Sequence, residues 1–134
     1  KKFCKFHGRK FYLANNIKLA LNLNLDGVYI PSFNKSLNVK KFRKKKNFLI
    51  LGSAHNMFEI KVKEKQGVQL IFLSPFLKTK KNKNFLGVIK FNLLTHLTKK
   101  KIIALGGINK DNINKLKMTN AHGYSGISYF FDKV

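Results

Sequence analysis

Short apolar runs recur along the chain, and each ends in a polar or glycine-containing cluster. Six are legible: Arg9–Asn16, closed by Asn15-Asn16; Val28-Tyr-Ile30, before Pro31-Ser32; Phe48-Leu-Ile-Leu51, before Gly52-Ser-Ala-His-Asn56; Val68–Leu73, before Ser74-Pro75; Ile102-Ile-Ala-Leu105, before Gly106-Gly107; and Gly123–Ser128. Runs of this length suit strands buried on both faces. Between them the spacing turns helical. Ile17, Ala20, Leu21 and Leu23 follow Asn16 as cap. Met57–Gln66 is closed by Gly67 and carries Glu59 and Lys63 as an i,i+4 pair. Val88–Leu97 has Ile89, Leu93 and Leu97 on one face, Lys110–Met118 follows Asn109 as cap, and Tyr129–Val134 begins a last helix. Two polar, basic connections complete the series, Ser32–Asn47 with its Lys40–Lys46 charge run and Ser74–Gly87. Such alternation is the pattern of parallel βαβ units. In a (β/α) barrel every cluster would meet at the C-terminal rim of the strands, where barrel enzymes have their sites. A flavodoxin-like open sheet predicts nearly the same pattern, and periodicity leaves both open.

Composition narrows the class. The 134 residues, 44% of them hydrophobic, suffice for one domain over 1–134 with a sizeable core. No stretch approaches the roughly 20 apolar residues of a membrane span, so no membrane partner is expected. The lone Cys4 forms no internal disulfide and reads as a packing residue, which makes a reducing, cytoplasmic setting the default. The 28 basic residues against 5 acidic give a formal charge of +23. Nearly all are Lys, dispersed among Asn and Ile, which is the mark of base-composition drift. A field that draws anionic substrates is the next reading, and no specific nucleic acid is expected, since single-strand binders present recognisable aromatic platforms.

The stretch Ile102–Asn109 carries the clearest chemistry. A strand, a glycine pair and a helix start with Asn109 as cap and Asp111 in the first turn would offer a cup of N–H groups to a phosphate. The same residues also make a plain strand-to-helix turn, which any α/β unit needs.

Taken in order, the strand-end clusters resemble the thiamine phosphate synthase family, which includes a thiazole tautomerase branch. The segments that carry the resemblance are Ala14-Asn-Asn16, Asp26-Gly-Val-Tyr-Ile-Pro-Ser-Phe-Asn34, Gly52-Ser-Ala-His55, Ser74-Pro-Phe-Leu-Lys-Thr-Lys80, Ala104-Leu-Gly-Gly-Ile108 and Gly123-Tyr-Ser-Gly-Ile-Ser128. They answer to the family's I-N-D, D-G-V-H-L-G-Q-x-D, G-x-S-x-H, G-P-x-F-x-T-x-T-K, A-I-G-G-I and G-V-A-x-I-S. The resemblance implies a (β/α)8 TIM barrel, incomplete here because the match begins at the family's third strand and runs to the eighth. The sequence does not begin with Met, so a fragment is the simplest expectation; the absent part would hold a second-strand Gln/Arg/Lys cluster.

The implied activity joins an aminopyrimidine methyl diphosphate to a thiazole phosphate, releasing pyrophosphate and forming thiamine phosphate. The partners are phosphorylated small molecules and the cofactor is Mg²⁺. Carried over by position, Asn15 meets the diphosphate and Ser53 the pyrimidine. Thr79 with Lys80 or Lys81 contacts phosphate, and Gly107, Ile127 and Ser128 hold the thiazole phosphate. Lys80, Lys81 and Ser53 are the catalytic candidates. The family's metal-binding aspartates fall on Asn16 and Asn34, whose neutral amides are poor Mg²⁺ ligands. The loop also lacks the family's second Thr. Two alternatives follow: a non-catalytic member that binds a phosphorylated ligand, and a thiazole tautomerase-like protein. Against the second, Ser74-Pro75 stands where that branch carries a catalytic His. His55 is expected to cap the helix that follows it rather than touch substrate, and no Ser/His/Asp triad is suggested.

Overall fold

The computed structural model describes residues 1–42, 46–79 and 83–131, with the backbone alone at 128 and 131. In chain order it contains α1 (Lys2–Phe6), β1 (Tyr12–Ala14), α2 (Ile17–Asn22), β2 (Gly27–Ile30), a 3-10 helix (Leu37–Phe42) and β3 (Leu49–Ala54). These are followed by α3 (Met57–Lys65), β4 (Leu70–Leu73), α4 (Gly87–His96), β5 (Lys101–Leu105), a second 3-10 helix (Ile113–Met118), β6 (Gly123–Ser125) and α5 (Ser128–Phe131).

The six strands form one sheet in the order β1-β2-β3-β4-β5-β6, and every neighbouring pair is parallel. A doubly wound sheet reverses its order at a switch point, and this one does not. The order and direction are those of a (β/α) barrel that is not closed, which decides between the two folds left open by periodicity.

The register sorts the strand residues onto two faces. Val28, Ile50, Ile71 and Ala104 lie on one face, wholly buried beneath the helices, together with Phe91 and Leu94 of α4 and Ile60 of α3. Tyr29, Leu70, Phe72, Ile103 and Leu105 lie on the other face and are half-buried. That second face is concave. The rings of Tyr29 and Phe72 meet with centroids 5.7 Å apart although β3 runs between their strands.

Several local expectations change. Lys110–Met118 is not an α-helix. Asn109 and Asn112 trade side-chain bonds with each other's backbone, and the chain tightens into the 3-10 helix instead. Ser128 opens α5 rather than ending a strand. In α4 the helix is as expected but its core face is not: Ile89, Leu93 and Leu97 are 80%, 61% and 57% exposed, and Phe91, Leu94 and Thr95 face the sheet. Glu59 and Lys63 do not pair across the surface of α3. Glu59 bonds the ring of His55, and Lys63 turns inward. The surface pair on this helix is Lys61 with Glu64, at 2.9 Å.

Candidate functional site

Because the strands are parallel and in register, the segments that follow them gather on one rim. Asn15 stands directly after β1, in the left-handed region (φ 55), which Asn tolerates better than most residues. Its N–H extends the ladder to the Tyr29 carbonyl at 2.8 Å. Its Oδ1 accepts a hydrogen bond of 2.7 Å from Nδ2 of Asn34, on the loop after β2. This amide pair borders a cleft of about 380 Å³ whose lining includes Asn16, Lys18, Asn38 and Lys41. Its polar lining is neutral amides, Ser36 and two lysines, set against apolar Ile17, Ile30, Val39 and Phe42.

Asn16 and Asn34 both border this cleft, and the Oδ1 of each is already engaged. Oδ1 of Asn16 accepts the N–H of Leu19 at 3.0 Å and caps α2, and Oδ1 of Asn34 accepts the N–H of Ser36 at 2.9 Å. Mg²⁺ asks for near-octahedral oxygen ligands, carboxylates above all. Two uncharged amides, each already serving a backbone N–H, do not fit it.

Ser53, in β3, is 5% exposed and lies on the concave face beside Phe72 in the register. It sits one step below the rim. Past β3, the chain enters α3 through Asn56, whose Oδ1 accepts the Glu59 N–H at 3.0 Å. The carboxylate of Glu59 in return accepts both the backbone N–H (2.7 Å) and the ring Nδ1 (2.9 Å) of His55. Asn56, not His55, therefore provides the cap, and His55 is held at the helix entrance by Glu59.

The segment after β4 runs through Ser74-Pro75 alongside the end of β5. Phe76 N–H bonds the Leu105 carbonyl and Leu77 N–H the Gly106 carbonyl, at 2.8 and 3.0 Å. Phe76 is buried against Phe91. Gly106 and Gly107 have φ of 96 and 74, and a Cβ on Gly107 would lie 2.5 Å from the carbonyl oxygens of both Leu77 and Lys78. Glycine at 107 is thus required by this close approach of two backbones. Thr79 is half-buried at the end of this segment, while Lys80 and Lys81 lie outside the described residues.

In the stretch expected to form a phosphate cup, three N–H groups after the glycine pair are engaged within the turn. Oδ1 of Asn109 takes the N–H groups of Asp111 and Asn112, and Oδ1 of Asn112 takes that of Asn109. Nδ2 of Asn112 ties this knot to the Gly107 carbonyl at 2.7 Å. The N–H groups of Asn109, Asp111 and Asn112 are thus already taken by side chains of the turn itself. Gly107 and Ile127–Ser128 nevertheless stand at the ends of adjacent strands, and a Cβ on Gly126 would lie 3.8 Å from the Ile108 carbonyl. Ile127 is 77% exposed there.

Sequence spacing missed Lys63 and Gln66. Both are fully buried. Nζ of Lys63 donates to the carbonyls of Pro31 (2.7 Å) and Asn34 (2.8 Å) and to Oε1 of Gln66 (3.0 Å). Burial pushes its ammonium down to about 8, against the opposing pull of Glu59. The signal was present: Lys63 follows buried Ile60 by three residues and so shares its face.

Across residues 1–130 the sequence matches the family model described as thiamine monophosphate synthase. The chain belongs to that family. Among relatives, a thiamine-phosphate synthase of Prochlorococcus marinus subsp. pastoris is 35% identical, the match covering 95% of this chain and 36% of that protein. A putative thiamine-phosphate synthase 2 of Aquifex aeolicus is 32% identical, over 85% of this chain and 62% of its own. This thiamine monophosphate synthase family member thus spans between about a third and three fifths of the curated relatives it matches. Its fold is similar to that of thiamine phosphate pyrophosphorylase from Pyrococcus furiosus, with a TM-score of 0.75 and 21% identity over 95% of this chain and 61% of that one. Among the described residues no helix is long and apolar enough to cross a membrane.

Proposed function

We propose that the chain forms part of a transferase that couples an aminopyrimidine methyl diphosphate to a thiazole phosphate. The bond between the pyrimidine methylene carbon and the diphosphate oxygen breaks, and pyrophosphate leaves with the electron pair. The thiazole nitrogen then supplies the pair for the new C–N bond. In this reading the amide of Asn15 meets the diphosphate, Ser53 meets the pyrimidine from the concave face, and Thr79 with Lys80 or Lys81 meets phosphate. Gly107, Ile127 and Ser128 receive the thiazole phosphate. The site must stabilise leaving-group charge, with little acid–base chemistry. Neutral amides at positions 16 and 34 leave that work to lysines, so no step is routed through a metal.

The observation that carries this reading is the family match over residues 1–130, joined to one rim on which Asn15, Asn34, Thr79 and Gly107 all stand. The test is calorimetry with thiazole phosphate and with inorganic pyrophosphate, each with and without EDTA, beside an assay for thiamine phosphate formed from both substrates. Binding that persists in EDTA, together with product, supports the transferase. Absence of binding to either ligand overturns it.

A second reading has its own support. The amides at positions 16 and 34 equally suit a member that binds a phosphorylated ligand without turning it over. Thiazole phosphate binding without product formation would favour that reading.

A further inference from the structure

We propose that Lys63 is a positioning residue which, with Gln66, locks the loop after β2 and thereby fixes the Asn34–Asn15 amide pair on the rim. The stem of Lys63 runs across Gly52, where an added Cβ would come within 3.0 Å of its Cδ. Its three ammonium hydrogens are matched by three neutral oxygens, those of Pro31, Asn34 and Gln66. Gln66, three residues further on α3's face, donates through Nε2 to the carbonyls of Asn34 (2.9 Å) and Ser36 (3.0 Å). One helical turn therefore holds three carbonyls of a six-residue loop, and that of Asn34 twice.

An ammonium this deeply buried is costly, and none of its hydrogen-bond partners is a carboxylate that would offset the loss of water. An apolar side chain would fill the space over Gly52 more cheaply. What it could not do is hold the loop's carbonyls. The loop in turn has one side chain that reaches across to another strand's end. Asn34, its carbonyl clamped and its Oδ1 taken by the Ser36 N–H, aims Nδ2 at Asn15. The chain of contacts runs Lys63 and Gln66, Asn34 backbone, Asn34 amide, Asn15 amide. Lys63 touches no ligand in it and acts through Asn34.

The experiment is hydrogen exchange read by NMR on the whole chain, comparing wild type with Lys63→Met and Gln66→Met, and its pyrophosphate arm rests on the function proposed above. In wild type the Ser36 N–H should exchange as slowly as the strand amides of β3 and β4. In each variant it should speed up by about tenfold or more while those strand amides keep or increase their protection, because opening is then local. A residue serving stability alone would move all of them together. Binding of inorganic pyrophosphate should weaken by about tenfold in the same variants, the size expected when a positioned polar contact is loosened. Should Lys63→Met not fold, the wild-type protection of Ser36 and the Gln66→Met comparison still decide. Fast exchange at Ser36 in wild type, or equal protection in wild type and variants, would overturn the clamp. If wild type does not bind pyrophosphate at all, the functional reading falls, and the exchange data judge the clamp by themselves.

Discussion

Asn34 gives a side-chain hydrogen bond of 2.7 Å to Asn15, so the ends of β1 and β2 are joined by two amides. The Asn34 amide is oriented by the Ser36 N–H, and the backbone that carries Asn15 is held by its ladder bond to Tyr29. The rim at this point presents amides, Ser36 and lysines, and among the described residues no carboxylate lines the cleft beside it.

Metal dependence should follow from that arrangement. Asn16→Asp/Asn34→Asp should gain Mg²⁺-dependent pyrophosphate binding of about tenfold or more, since carboxylates are the ligands Mg²⁺ selects. Wild-type binding should not respond to EDTA. Titration calorimetry with and without Mg²⁺ checks both, and tight Mg²⁺ binding by wild type alone would refute the reasoning.

Lys63 should imprint a pH dependence on stability. Its folded-state value of about 8 lies below the 10.5 of a free lysine, so the unfolded chain holds more protons between those values. Stability should accordingly rise with pH from about 8 to 10.5, and below 8 the burial penalty is present in full. Urea midpoints across this range should climb more steeply in wild type than in Lys63→Met, the difference isolating this group from the other lysines.

Gly107→Val should fail for a reason unrelated to ligand. At φ 74, with carbonyl oxygens 2.5 Å from its Cβ, the substitution strains the turn and forces two backbones apart. A loss of about 2–4 kcal/mol is expected, from backbone strain plus overpacking. Loss of ligand binding in this variant would consequently say little about phosphate contacts, and chemical denaturation should be measured first.

Two adjacent leucines of α4 should behave oppositely. Leu94, 8% exposed and facing the sheet, should cost about 2–4 kcal/mol as Leu94→Ala. Leu93, 61% exposed, should tolerate Leu93→Lys within about 0.5 kcal/mol. Thermal or urea unfolding of the pair measures it, and a large loss from Leu93→Lys would show that this face is covered.

The sequence disclosed the fold through the order of strands, because an apolar run bounded by Gly, Pro or Asn has few alternatives to a buried strand. The rim followed from the same order: Asn15 stands directly after β1, Ser53 next to last in β3 and Gly107 two residues past β5, while Thr79 lies further along the segment after β4. What spacing could not show was direction. Ile89, Leu93 and Leu97 are as periodic as a core face, yet Phe91 and Leu94 fill the space against the sheet. Lys63 had the right separation from Glu59 for an ion pair, but carbonyls 31 and 34, distant in sequence, take its hydrogens instead. At Asn109 the side chain does cap backbone N–H groups, though it closes a tight turn with Asn112 rather than starting an α-helix.

The close approach of Gly107 to Leu77 and Lys78 bears on where this chain can change length. Residues 75 and 76 are bonded on one side to Leu86 and Gly87 and on the other to the end of β5, so the loop they open is pinned at its base. An insertion between 79 and 85 leaves all of those bonds and the glycine contact in place. One between 74 and 78 shifts a carbonyl out of register with Gly107 and breaks them. Any change of length after Lys78 must also spare Thr79, Lys80 and Lys81, which the proposed reaction assigns to phosphate.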